Sequence, residues 1–301
     1  MVRILEPQLI FEDVVDGDAI LQKLERATRT CYKSEGLIAP GSAAKLLRKV
    51  LGRKHESVIE HVVVSVRWIC NRGVSHELVR HRLAAYSQES TRYCDYSDDR
   101  HGAGIAVIAP FYSMPEPGHP WTCTCGSARC RRAARFVRGM EFDDAIYKED
   151  LEDGGIAQES RGFLPNDLKT EIVSTFNLRE WRWVFIKRIP KEAHPQMRQL
   201  TVPLLRAFQS LVPVLYDDLD PGELTYREQP IPWANVDLLT AKQDELRYLV
   251  GRAQRLLQER GWATPETEQL AQQVALAPVN DQLVSTALKL LVRAIEVHGQ
   301  R

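Results

Sequence analysis

The chain has 301 residues, 44% hydrophobic and 27% charged, a composition of a globular protein with room for one large domain plus an appendage. Forty basic and forty acidic residues cancel, so no overall field draws nucleic acid or a membrane surface, and any anion site must be local. No apolar run approaches bilayer length, the N-terminus lacks a signal-peptide pattern, and the six cysteines form no small disulfide framework; a cytoplasmic, reducing compartment is expected.

In chain order, residues 2–15 read as a strand around Ile4, Leu9, Ile10 and Phe11. Residues 16–33 read as a helix with Ile20, Leu21, Leu24 and Ala27 as its apolar stripe. Ser42 has the place of an N-cap for a helix carrying Leu46, Leu47, Val50 and Leu51. The run His55-Glu56-Ser57-Val58-Ile59-Glu60-His61 groups two histidines with two carboxylates, but not with His-Glu-x-x-His spacing, and no metal is expected there. Residues 61–70 alternate, with Val62, Val64, Val66 and Trp68 on one face and Val63, Ser65, Arg67 and Ile69 on the other, which predicts a strand. Asn71-Arg72-Gly73 reads as a turn. Ser75 then caps a short helix with Glu77 in its first turn. Glu77, Arg80 and His81 stand at i, i+3, i+4 and would share one helical face.

The stretch Arg80-His81-Arg82-Leu83-Ala84-Ala85-Tyr86-Ser87-Gln88-Glu89-Ser90-Thr91-Arg92-Tyr93 concentrates cations and hydroxyl donors suited to a phosphate or an electron-rich ring. If it runs extended, Ser90 and Arg92 point the same way. From 97 to 130 periodicity is lost and Gly and Pro are frequent, predicting a long excursion that is mostly loop. Its end carries His119, Cys123, Cys125 and Cys130, a set that could bind zinc; Cys-x-Cys-x4-Cys is not a common zinc spacing, free thiols or a redox-labile loop are the plainer readings, and no metal is expected. Residues 131–151 read as a helix with Phe136, Met140, Tyr147 and Leu151 inward, stopped at Gly154-Gly155. Residues 168–176 read as a strand. Asn177 opens a helix, with Glu180 at capping-box spacing. Trp181, Phe185 and Arg188 share one face of it, the two aromatics reading as core, and Pro190 ends it. An apolar helix over 200–219 precedes a linker containing Pro221, Pro230 and Pro232. Helical patterns at 236–260, after Thr264-Pro265-Glu266, and at 283–297 predict a helical extension over 221–301, suited to an oligomer contact or to supporting a lid.

Arg-His-Arg, seven residues, Ser, and Arg two further on, here Arg80-His81-Arg82, Ser90 and Arg92, resembles the signature of the flavin-dependent thymidylate synthases. The resemblance covers about residues 1–220, apart from the excursion, where typical members are shorter. It implies an α+β fold with a mixed β-sheet flanked by helices, assembled as a homotetramer with active sites between subunits. It implies methylation of dUMP at C5, with methylenetetrahydrofolate as one-carbon donor and NADPH-reduced FAD as hydride source. By resemblance, Glu77, Arg80, Gln88, Glu89, Ser90, Thr91, Arg92, Arg161 and Arg188 contact the nucleotide. His55, Ser57, Glu60, Arg80, His81, Arg82, Leu83, Gln88, Asn177, Arg179 and Trp183 fall at flavin contacts. Arg188 takes the catalytic role, stabilising negative charge on the uracil as N3 loses its proton.

Three positions depart from the family pattern: Trp183 stands where Asn or His is frequent, Glu192 at an often histidine-bearing position with His194 nearby, and Glu77 where some members have Gln. No Gly-x-Gly-x-x-Gly follows a strand, as a Rossmann site would require. No cysteine follows a proline, as in classical thymidylate synthase, and Ser90 has no recognisable histidine base, so it is assigned to phosphate binding. Two alternatives remain: the same chemistry on UMP in a specialised pathway, and a flavin- or nucleotide-binding scaffold without catalysis. The substrates expected are small molecules, with no nucleic acid or membrane partner.

Overall fold

The computed structural model describes residues 2–98, 103–222 and 235–237. The first strand expected divides in two, β1 (Arg3–Leu5) and β2 (Gln8–Phe11). Pro7 between them has no N–H to give a ladder, and the two halves pair with different partners. Helix α1 (Gly17–Thr30) starts at Asp16, whose Oδ1 accepts from the Ala19 N–H at 2.9 Å. Helix α2 (Ser42–Gly52) departs from expectation by one residue: Gly41, at φ 77°, is the N-cap, and Ser42 Oγ instead donates to Glu25 at 2.7 Å. A 3₁₀ turn over Glu56–His61 leads into β3 (Val63–Asn71).

The 71–73 turn is a helix start. Asn71 Oδ1 accepts from the Val74 N–H at 2.9 Å and caps α3 (Arg72–Leu78), so Ser75 is an interior residue whose hydroxyl donates back to Arg72 O at 3.0 Å. Because α3 ends at Leu78, Arg80 and His81 sit in the following turn and not on a common helical face with Glu77. Strand β4 (Ala84–Gln88) comes next. Beyond it the chain is not extended: the Tyr93 N–H bonds Ser90 O at 3.1 Å, closing a turn. The excursion contains the buried strand β5 (Ala106–Ile108) and a 3₁₀ turn over Phe111–Ser113. It ends at α4 (Ala128–Glu152), capped by Ser127. Short α5 (Ala157–Ser160) and a 3₁₀ turn over Arg161–Phe163 precede β6 (Lys169–Asn177). Helix α6 (Leu178–Arg188) is capped as expected, Asn177 Oδ1 accepting from the Glu180 N–H at 2.8 Å. The helix expected over 200–219 is α7 (Pro195–Leu211) and α8 (Pro213–Tyr216), broken at Val212 because Pro213 cannot donate into α7. Residues 235–237 form a short strand, β7 (Asn235–Asp237), where the sequence suggested a helix start. By contact density the chain divides into two units, Met1–Val236 and Asp237–Arg301; the helices expected after 237 lie outside the described residues.

Strands β3 and β6 form the centre, antiparallel along their whole lengths from Val63↔Asn177 to Asn71↔Lys169. The strand order is β4-β6-β3-β2-β7, and the β4–β6, β3–β6 and β2–β3 pairs are antiparallel; the parallel pairing of this α+β fold is between β1 and β5. Alternation explains the core. Val64, Val66, Trp68, Ile172 and Phe176 project from one face and are buried, while Arg67, Glu171 and Thr175 project from the other. Helices α6 and α7 close the buried face. Trp181 stacks on Trp68 with centroids 6.3 Å apart and meets Phe176 edge-on at 4.6 Å, and Phe208 lies 5.2 Å from Trp181 and 5.4 Å from Phe185. Each such side chain contributes about 1.5–3 kcal/mol on burial. Neither indole leaves an orphan donor: Trp68 Nε1 donates to Ser174 Oγ at 2.8 Å and Trp181 Nε1 to Val64 O at 3.0 Å.

Candidate active site

The α6 helix ends at a clamped arginine. Arg188 Nη1 donates to Glu77 Oε2 at 2.6 Å, Nη2 to the Glu77 carbonyl at 2.7 Å, and Nε to His81 Nε2 at 3.1 Å. A guanidinium is always a donor, so His81 must accept at Nε2 and carry its proton on Nδ1, which faces Glu180 Oε1 at 3.5 Å. Burial, reinforced by the Arg188 charge, pulls the His81 pKa down to about 4, so the ring is neutral at neutral pH. Tyr86 locks the turn beneath, its hydroxyl donating to the carbonyls of His81 at 2.6 Å and Leu78 at 2.8 Å. His194, the N-cap residue of α7, brings Nδ1 within 3.9 Å of Glu77 Oε1. The result is a fixed cation beside a neutral imidazole.

The rest of the signature lies along β4 and the turn after it. Gln88 Nε2 donates to Ser75 Oγ at 2.9 Å and Thr170 Oγ1 at 3.1 Å, so this side chain is held by the interior of α3 and by β6. Glu89 accepts from Lys169 Nζ at 3.0 Å and from the Tyr96 hydroxyl at 2.8 Å, and Lys169 also holds Glu171 at 2.6 Å. Burial opposes charge on Lys169, but its bonds to Glu171 and Glu89 outweigh that and hold its pKa above the ordinary range. Ser90 Oγ accepts from the Arg92 N–H at 3.3 Å. Thr91 is buried; Arg92 is exposed and reaches Gln158 Oε1 of α5 at 3.4 Å, which sets the signature turn against the segment bearing Arg161. Among the described residues Arg80, Arg82 and Arg161 are exposed and have no ion-pair partner.

Seven of the residues assigned to the flavin fall around two clefts, while Arg80, His81, Arg82 and Gln88 line neither. One, of about 600 Å³, is lined by Glu56, Glu60, Leu83, Asn177, Arg179, Glu180, Arg182, Trp183 and Ile186. Leu83, Trp183 and Ile186 are 72%, 48% and 44% exposed there, an apolar band left open beside Arg179. Arg179 binds Glu60 at 2.6 Å, and Lys187 Nζ lies 4.4 Å over the Trp183 ring. Arg182 anchors the floor through a two-pronged pair with Asp218 at 2.8 and 2.6 Å and a bond to the Leu215 carbonyl. The second cleft, of about 420 Å³, lies beside α1 and α2 and contains His55 and Ser57 with Lys49 and Arg53.

Sequence reasoning missed Lys169, Tyr96, Arg182 and Asp218. Lys169 and Glu171 alternate with buried residues on β6, a signal of a polar sheet face that was legible. Tyr96 and Asp218 carry no local mark. Outside these clefts, the donor atoms of His119, Cys123, Cys125 and Cys130 all lie within 4.8 Å of one another.

Exposed arginines in the turns beside the sheet, a clamped cation beside a neutral histidine, and an exposed apolar band suit an anionic small molecule with flat rings. The family model described as thymidylate synthase complementing protein matches residues 14–214. The flavin-dependent thymidylate synthase of Geobacter sulfurreducens is 31% identical over 207 residues, spanning 66% of this chain and 82% of its own length. That of Mycobacterium tuberculosis is 31% identical over 212 residues, 68% of this chain and 82% of its own. Among solved structures, a UMP/dUMP methylase, PolB from Streptomyces cacaoi, superposes with TM-score 0.57 at 21% identity, covering 72% of this chain and 95% of that one. Thymidylate synthase X from Helicobacter pylori superposes at 0.54 with 20% identity, covering 70% and 98%. The chain belongs to the family of flavin-dependent thymidylate synthases. Membership of that family makes it a flavin-dependent enzyme.

Proposed function

We propose that the chain converts dUMP to dTMP with Arg188 as the residue that activates the uracil, using NADPH and methylenetetrahydrofolate as co-substrates. The observation that carries this is the Arg188 clamp: the guanidinium is held at three points and faces a neutral His81, so its charge is positioned before substrate arrives. A fixed cation beside the ring favours loss of the N3 proton and stabilises the anion formed, and preorganised charge of this kind is a large contribution to catalysis. Ser90, Arg92 and Arg161 hold the phosphate, with Arg80 completing the cationic rim and Gln88 meeting the base or the sugar. Glu77, Glu89 and Thr91 shape that pocket.

The first cleft suits FAD: Leu83, Trp183 and Ile186 offer apolar surface to flat rings, and Arg179 offers charge to a pyrophosphate, with exposed Arg82 next to Leu83 in the chain. Bound there, FAD supplies the hydride that completes the methyl group. His55 and Ser57 line a different cleft from Glu60, Leu83, Asn177, Arg179 and Trp183. The assembly we propose, a homotetramer with active sites shared between subunits, rests on the resemblance to the family. No helix among the described residues is long and apolar enough to cross a membrane, and the six free cysteines fit a reducing, cytoplasmic compartment.

The test is spectroscopic, then chemical. The purified protein is expected to be yellow, to bleach with NADPH when methylenetetrahydrofolate is absent, and to form dTMP from dUMP in parallel incubations with dUMP and UMP. A colourless protein that FAD does not reconstitute overturns the assignment. Product from UMP alone moves the acceptor to the ribonucleotide.

A further inference from the structure

We propose that His119, Cys123, Cys125 and Cys130 bind one Zn²⁺, a structural site that fastens the excursion between β5 and α4 to the start of α4. From spacing alone the sequence argues against a metal here. Tertiary structure changes the case, because it brings all four donors within 4.8 Å of one another. His119 Nδ1 is 3.2 Å from Cys123 Sγ and 3.5 Å from Cys130 Sγ. With Zn–S of about 2.3 Å and Zn–N of about 2.0–2.1 Å, neighbouring donors of a tetrahedral site stand ~3.6–3.8 Å apart. The four donors therefore need only small shifts to enclose an ion.

The loop is folded for that purpose by its own backbone. The His119 N–H bonds Glu116 O at 2.9 Å and the Cys123 N–H bonds Pro120 O at 3.0 Å, two turns that bring the first pair of donors together. Gly126, at φ 83°, reverses the chain between Cys125 and Cys130, a conformation that suits glycine. The Cys125 N–H points at Cys123 Sγ at 3.4 Å, which holds this pair of thiols close together. Ser127 Oγ accepts from the Cys130 N–H at 3.1 Å, capping α4, so Cys130 lies in the positively polarised first turn of a 25-residue helix. An outer layer steadies the ligands: Trp121 packs on Phe136 of α4 with centroids 6.0 Å apart, Arg132 donates to Tyr112 O at 3.1 Å, and Arg131 bonds the Gly126 carbonyl.

The donor chemistry selects the metal and its role. One imidazole and three thiols form a soft set that suits zinc, and four protein ligands leave no open position for a substrate. All six cysteines are free of disulfides, and only these three gather with a histidine among the described residues. The ion adds order to a segment that has little buried apolar surface of its own around 119–127.

The experiment uses the full-length protein purified without chelators. Elemental analysis is expected to find about one zinc per chain that survives dialysis. Replacement by Co²⁺ is expected to give sulfur-to-metal charge-transfer bands in the near ultraviolet and visible bands of tetrahedral intensity. Cys123→Ser and Cys125→Ser are expected to lose the metal while keeping their flavin, which shows that the chain still folds. In the wild type, the three clustered cysteines should resist alkylation until a strong chelator is added, a readout that does not depend on the variants folding. Substoichiometric zinc even after reconstitution, with no cobalt spectrum, overturns the proposal. So does a disulfide among these cysteines in protein kept under reducing conditions.

Discussion

Replacing Arg188 with Ala removes three bonds at once, to the Glu77 carboxylate at 2.6 Å, the Glu77 carbonyl at 2.7 Å and His81 Nε2 at 3.1 Å. Glu77 is about a third exposed and can rehydrate, so the loss of fold stability should stay at about 1–3 kcal/mol. Catalysis should suffer more. Losing one preorganised charge donor costs about 10²–10³ in kcat, or about 2.7–4 kcal/mol. Arg188→Lys keeps the charge but cannot make the same three contacts from a planar fork, and should fall between the alanine variant and the wild type. An independent readout is His81: burial is the larger cause of its low pKa and Arg188 the second, so in Arg188→Ala its imidazole should titrate above 4 while remaining below the ordinary histidine range. The assay is turnover at saturating nucleotide and folate, normalised to bound flavin, with the His81 ring followed by NMR. Near wild-type turnover in Arg188→Ala would refute the assignment, and an unmoved His81 pKa would show that the two groups are not coupled as their geometry implies.

Arg92→Ala should weaken nucleotide binding by about 1.5–3 kcal/mol, the worth of a charge-assisted hydrogen bond, and unchanged affinity by calorimetry removes Arg92 from the phosphate site. His81 is held neutral with a pKa near 4 against 6.5 unfolded, so the unfolded chain binds the extra proton between those values. Its contribution to stability is complete above pH 6.5 and falls by about 3 kcal/mol on acidification to pH 4; in urea melts across that range, His81→Asn should lose this part of the slope, and identical pH profiles would contradict it. Lys169→Met leaves Glu89 and Glu171 without their shared cation and should cost about 1–3 kcal/mol by chemical denaturation, since the group is only partly shielded from water. Glu171, whose own burial raises its pKa but which Lys169 and Arg67 pull below the usual range, should then titrate higher.

What the sequence determined by itself was local chemistry. The alternation of Val64, Val66 and Trp68 required a half-buried strand, and Asn177 is a cap because a short acceptor side chain three residues before a free N–H needs no distant partner. The signature residue types, and with them the family, were also legible. Tertiary structure decided everything that joins distant positions. Pro7 allowed a break, but the pairing of β1 with β5 and of β2 with β3 made it two strands. The 71–73 segment could have been a turn; Asn71 became a helix cap because its carboxamide, held also by Asp167 at 2.8 Å, was already oriented by a residue far along the chain. Glu77 and His81 were read as sharing a helical face, and they come together instead on Arg188, which arrives from the end of another helix. His119 and the cysteines up to Cys130 are separated by spacing that matches no common zinc pattern, yet turns at Pro120 and Gly126 converge them. Local signals report what a residue does to its neighbours in sequence; long-range contacts depend on which surfaces the sheet and its helices bury together, and no window of sequence contains that.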